Sequence, residues 1–238
     1  MNGFLYGVAL QWKLDIRSKS LLVTCYIIPL LFFLLMGGIF TSVMPDMRSA
    51  LIQSMIVMSV SMGALIGLPP SLIEVYGSDI SKVYKANGAP VCLGLVTMFL
   101  SAFIHLMIAC VVIVLLAPVL FEAVLPAQLP IFFLALAIYI IVSLSIGSIL
   151  GLMIKNQAKL TMIAQLVFLP SIMLSGIMFP MELLPDFLET IGRFFPASWG
   201  YRLMLDNGFC FENLWYLILV FLTAAIVCGM LLKKQKSK

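Results

Sequence analysis

One histidine, ten carboxylates, fourteen basic residues and five cysteines are what this chain of 238 residues has to do chemistry with. Their spacing excludes more than it allows. No G-x-x-x-x-G-K-[ST] loop occurs, so the chain has no backbone cradle for ATP phosphates. One histidine and no paired-cysteine motif leave no metal-ligand spacing. Ser148, in Gly147-Ser148-Ile149-Leu150-Gly151, would need His105 as its base to act as a nucleophile, and glycine and serine at such spacings belong to helix contacts. His105 lies in a long apolar run. With no acid in any such run to pair with it, a hydrogen-bonded packing histidine is favoured over a proton relay. Met55, Met58 and Met62 share one helical face, with Ser54 and Ser61 nearby. Such a stripe suits varied apolar ligands, although ordinary helix packing explains it too. The chain is expected to be no enzyme by itself, with no catalytic residue, no metal and no cofactor of its own.

The elements that must hold these residues are spans. The chain is 63% hydrophobic and only 10% charged, with mean hydropathy +1.17, whereas a soluble domain carries roughly 25% charged residues. Six runs contain no Asp, Glu, Lys or Arg: Leu21–Phe40, Ala50–Ile73, Pro90–Pro118, Pro130–Ile154, Leu160–Pro180 and Leu214–Leu232. Each approaches or exceeds the ~20 apolar residues that cross a bilayer. The expected fold class is an all-α integral membrane protein of six transmembrane helices, a single domain over 1–238. The third run is long enough to tilt or protrude, and Pro29 and Pro170 are expected to kink their helices.

Charge placement orients these spans. With the N-terminus in the cytoplasm, eleven of the fourteen Lys and Arg fall inside, and only Arg48, Arg193 and Arg202 outside. The Lys/Arg bias sets topology. Five or seven spans would break the partition, so both ends are expected in the cytoplasm. The first run is too long for a signal-peptide core and lacks a clear cleavage site, so it is read as an uncleaved span. Cys25, Cys92, Cys110 and Cys228 lie in or beside spans and only Cys210 outside, so no disulfide framework is implied.

Three connecting segments carry pattern. In residues 1–19, Phe4, Leu5, Val8, Trp12 and Ile16 recur at helical spacing, with Lys13 and Arg17 four apart: an amphipathic helix for the inner interface. In the inner loop 74–88, Ile80, Val83 and Tyr84 give a short helix an apolar edge opposite Lys82 and Lys85. That helix is either a docking knob for a cytoplasmic partner or a solvated loop. Residues 181–199 are too polar to span and too apolar to be free. They suit a re-entrant or interfacial helical hairpin on the outer face.

The whole pattern resembles the permeases of ABC type-2 exporters. The local match is Leu174-Ser175-Gly176-Ile177-Met178-Phe179-Pro180, then Leu183-Leu184-Pro185 and Phe195-Pro196. The family motif thus falls on Ser175, Gly176, Phe179, Pro180, Pro185 and Pro196. Glu74, Gly77 and Pro90 sit where the family often has a glutamate, a glycine and a proline. Val75 departs from the basic residue that many members place beside the glutamate. The resemblance implies a second permease subunit, identical or not, and separate cytoplasmic ATPase subunits that bind ATP and Mg. Those would dock on the N-terminal helix and on an ATPase-coupling segment including Glu74, Gly77, Ile80, Lys82, Tyr84 and Lys85. It implies a cargo route bordered by spans one, two and five, with Met55, Met58, Met62, Gln165, Phe168 and Ser175 as pathway candidates. The function expected is export of an amphiphilic cargo (a drug, peptide or lipid-like compound) by alternating access across a bacterial plasma membrane. A polysaccharide exporter of the same family, an ATPase-independent channel or secondary carrier, and an assembly or immunity factor are the alternatives. No nucleic-acid partner is expected.

Overall fold

A computed structural model describes residues 3–44, 48–77, 90, 92–178, 184–205 and 211–236. Among them every regular element is helical. Helix α1 (Gly3–Arg17) precedes a short turn of helix, then α2 (Val23–Val43), α3 (Leu51–Tyr76), α4 (Cys92–Phe121) and α5 (Leu129–Met153). Shorter helices follow: α6 (Gln157–Met173), α7 (Asp186–Gly192) and α8 (Pro196–Leu205), before the terminal α9 (Phe211–Lys236). Five helices, α2 to α5 and α9, are long and apolar enough to cross a membrane, while α6 has 17 residues. At 1.5 Å per residue, the 30-residue α4 is about 45 Å long and overshoots a ~30 Å hydrocarbon core.

Helix α3 is the axis of the bundle. Some 89% of its most apolar window is buried, against 28% in α2 and 17% in α9. Every residue from Leu51 to Leu65 is buried. A helix wrapped on all sides must hide its polar groups as well. The Ser61 hydroxyl meets the Tyr139 phenol of α5 at 2.6 Å, and Ser54 donates to the Tyr201 oxygen of α8 at 3.4 Å.

Proline shapes the two helices that meet most closely near the chain's start. Residues Val23–Ile27 of α2 and Gly63–Gly67 of α3 are wider π-helical turns. Each stands just before proline: Pro29 in one case, Pro69 and Pro70 in the other. A proline ring crowds the carbonyl four residues back and offers it no N–H; the wider turn absorbs that defect without breaking the helix. The expected kink at Pro29 is therefore a local widening. The two widened turns pack on each other.

Glycine sets how near α5 comes to α3. A methyl added at Gly147 would collide with the carbonyl oxygen of Ala64, inside the widened turn, and one at Gly151 would lie 2.8 Å from the Leu72 Cβ. The pair forms a small-xxx-small contact. Ser148 between them donates to the Leu144 carbonyl at 2.7 Å, within its own helix.

The predicted fifth span, 160–180, stops at Met173. Gly176 adopts φ 81°, the left-handed conformation that ends helices and suits glycine. The chain then returns through α7 and α8, the latter running to Leu205 rather than the predicted 199. Buried Tyr201, Leu203 and Met204 on α8 explain the extra turn. Between the two helices, three successive carbonyls are satisfied by side chains: Gly192 by the Ser198 hydroxyl, Arg193 by the Trp199 indole and Phe194 by the Tyr216 phenol, each at 2.6 Å. Orphan carbonyls at a helix end need such partners when water is scarce.

The glycine contact gives a direct test. Gly147→Ala is expected to lower the thermal midpoint of the detergent-purified protein, with an overpacking cost of about 1–3 kcal/mol. Gly38→Ala, where an added methyl meets nothing within 4 Å, is expected to hold or slightly raise it. Differential scanning fluorimetry of the two variants checks both.

Candidate functional site

The polar residues that the fold draws together lie where α1 crosses α2 and α4. Gln11, Trp12 and Asp15 occupy one helical face of α1. Ser101 and His105, also four apart, face them from α4. The buried Asp15 carboxylate accepts a hydrogen bond from the Ser101 hydroxyl and another, at 2.8 Å, from the Gln11 amide. The Trp12 indole lies flat on the His105 ring, centroids 4.2 Å apart and planes within 9°. His105 Nδ1 is 2.7 Å from the hydroxyl of Tyr26, which stands in the widened turn of α2. One atom is left over: His105 Nε2 is buried without a hydrogen-bond partner. A cavity of about 10 Å³, on the order of one water, is lined by Gln11, Asp15, Cys25, Gly63, Gly67 and Ser71.

Here the acid absent from the apolar runs comes from outside them and bonds Ser101, one turn of α4 before His105. The inward face of α1 carries Gln11 and Asp15, while Leu10, Leu14 and Ile16 are exposed beside Lys13 and Arg17. Ile16 therefore departs from the predicted apolar face, because the bonds available at Ser101 pull the Asp15 side inward. The arrangement fastens α1 to α4, and Tyr26 joins α2 to the same point of α4 through His105. Among the described residues no group of three or more His, Cys, Asp or Glu could hold a metal.

Of the coupling candidates, Glu74 and Gly77 are exposed at the end of α3. The Gly77 amide donates to the Ile73 carbonyl at 2.7 Å, and an added Cβ would sit 2.6 Å from that oxygen. Ile80, Lys82, Tyr84 and Lys85 lie outside the described residues. Sequence reasoning passed over their neighbour Tyr76. It is buried, and its hydroxyl accepts from the Leu95 amide at 2.8 Å. That bond satisfies a donor in the first turn of α4 and ties the two helices that the loop connects. A tyrosine two residues past Glu74, at the end of an apolar run, was the available signal.

In the family motif, Ser175 is buried and donates to the Ile172 carbonyl at 3.1 Å, and Gly176 makes the left-handed turn. Pro185 precedes α7 and Pro196 opens α8. Phe179 and Pro180 lie outside the described residues. A second cavity, about 30 Å³, gathers Ser61, Tyr139, Ser143, Ser171 and Pro196 from α3, α5, α6 and α8. Its hydroxyl lining is polar enough to hold water within an apolar bundle.

The pathway candidates divide. Met55, Met58 and Met62 are buried within the bundle, as is Phe168. Gln165 is exposed, on a strip of α6 with Met162, Leu166, Leu169 and Met173. The four free cysteines described, Cys25, Cys92, Cys110 and Cys228, are all buried except Cys92.

Comparison with the curated proteins gives no significant match. The family profile described as ABC-2 type transporter covers residues 4–209, from the first turn of α1 to just past α8. With a bundle of apolar helices beneath that match, the chain is a membrane protein and belongs to the ABC-2 type transporter family.

Proposed function

We propose that this chain is the membrane-spanning permease subunit of an ATP-driven exporter that moves an amphiphilic cargo out of the cytoplasm by alternating access. The observation that carries the reading is a family match along most of the chain joined to a sequence without a phosphate loop. A membrane subunit of this family without nucleotide-binding equipment needs ATPase partners. In this reading the chain is one membrane domain with six crossings, α2 to α6 and α9. Helix α6 is about 26 Å long, short of the ~30 Å core, and the α7–α8 hairpin fills the remaining depth from the outside. Both ends are cytoplasmic in a plasma membrane, with α1 in the inner interface.

A second permease subunit covers the exposed strip of α6. Gln165 supports this. An amide left in hydrocarbon costs free energy unless it is bonded, and Gln165 faces outward on an otherwise apolar strip. ATP binding by the partner ATPases supplies a differential free energy, which the segment 74–88 and the anchored α1 pass to the helices as a rigid-body movement.

Four outcomes follow from this reading. Purified with its ATPase partner and placed in liposomes, the chain is expected to transport only with ATP. Glu74→Lys combined with Tyr84→Pro is expected to abolish transport while membrane insertion and ATP hydrolysis persist; transport by the isolated chain, or by that variant, sinks the coupling role. In a cysteine-free background, Gln165→Cys is expected to yield an oxidant-dependent cross-linked permease dimer on gels, and a monomer throughout refutes the placement of α6. Asp15→Leu removes a buried hydrogen bond to a charged group, worth about 1.5–3 kcal/mol. It is expected to make α1 protease-sensitive and to depress ATP-dependent transport, with limited proteolysis and the liposome assay as the readouts.

A further inference from the structure

An apolar groove lies between α4 and α9, with α5 beneath it. Helices α4 and α9 each lean on α5 and barely on each other. The gap between them is a cavity of about 390 Å³, within the roughly 300–1,000 Å³ typical of small-molecule sites. Val96 and Phe99 line one wall, Phe221 and Ala225 the other, and Ser145 and Ser148 the floor.

The groove has a direction. Its lining runs from Cys92 to Leu100 on α4 and from Phe221 to Leu232 on α9, about 12 and 16 Å along the helices. One leaflet of a bilayer has about 15 Å of hydrocarbon, so the groove matches the tail region of a single leaflet. The floor asks nothing of a ligand. The Ser145 and Ser148 hydroxyls are already bonded to the Ile141 and Leu144 carbonyls, both at 2.7 Å. With both hydroxyl donors already used, a hydrocarbon chain lying there leaves no donor unsatisfied. Gly229 keeps the wall open, since an added methyl would meet no atom within 4 Å.

Charge marks one end. Leu232 closes the lining on α9, and the next two residues are the exposed Lys233 and Lys234. Lys233 follows Gly229 by four residues and so lies on the groove's face one turn further on. A cation at the headgroup end of a leaflet-length apolar groove complements an anionic headgroup.

We propose that this groove between α4, α5 and α9 is a binding site for one acyl chain of an anionic bilayer phospholipid, with Lys233 and Lys234 holding its headgroup. Occupancy of the groove does not depend on the ATPase partner.

The test uses the full chain in phosphatidylcholine nanodiscs doped with phosphatidylglycerol that bears a photoreactive diazirine in its acyl chain. After irradiation, mass spectrometry is expected to find adducts concentrated on Val96, Phe99, Phe221 and Ala225. Gly229→Phe is expected to abolish them. Lys233→Gln with Lys234→Gln is expected to cut phosphatidylglycerol adducts by about fivefold per lysine and to leave those of a matched phosphatidylcholine probe unchanged. Should Gly229→Phe fail to fold, Ala225→Leu fills the same space and decides the point. Adducts spread evenly over the outward faces of α2 and α6 overturn the proposal. So does equal labelling by a diazirine diacylglycerol, which carries no charge, or by both phospholipids regardless of the lysines. A disulfide formed between Val96→Cys and Ala225→Cys on different copies also overturns it, because protein would then fill the groove.

Discussion

The approach of α5 onto α3, permitted by Gly147 and Gly151, is the contact on which the rest of this molecule depends. Backbone meets backbone there, at the carbonyl of Ala64 and beside Pro69. In lipid, helices gain nothing from hiding apolar surface and associate through close packing and hydrogen bonds. The glycine contact supplies the packing and brings Tyr139 to within 2.6 Å of Ser61. It also fixes where α8 must lie, because Gly200 sits against the Tyr139 ring. The hydroxyl-lined cavity beside Pro196 follows from these three positions.

Around that centre the structure handles its backbone polar groups one by one. Two widened turns accommodate the carbonyls that Pro29, Pro69 and Pro70 leave without amide donors. Three side chains answer the carbonyls of Gly192, Arg193 and Phe194. Tyr76 caps the start of α4. These devices are local, but each lies at a junction between helices, so each also sets an angle or an anchor. The Asp15–Ser101 and Trp12–His105–Tyr26 contacts do the same for α1. They turn a helix that could merely float at an interface into one attached to α4 at the point where α2 also bonds it.

The outside of the bundle is less uniform than its apolar composition suggests. Most exposed side chains of α2 and α9 are single aliphatic groups that ask only for lipid tails. The α6 strip differs by carrying Gln165. The groove beside α9 differs by its depth, its satisfied hydroxyls and the lysines at its end. A polar group that needs a partner and a cavity that needs none call for different neighbours, and the two features lie on different helices.

Much of this was written plainly in the sequence. The uncharged runs give the helices and nearly their limits, because a charge in hydrocarbon is costly. Ser175-Gly176 and the prolines around 185 and 196 mark the chain reversal, because glycine and proline restrict backbone geometry locally. The lack of an ATP loop is equally local. Tertiary structure decided which faces meet. The methionine stripe is buried because α3 is enclosed from Leu51 to Leu65. Asp15, outwardly an interface charge, became a buried partner of Ser101. Tyr76 and Tyr139 gained roles from residues 19 and 78 positions away. Hydropathy and turn chemistry are properties of neighbouring residues and can be read along the chain. The match between one helix's glycines and another's widened turn belongs to the pair, and the chain expresses it only once folded.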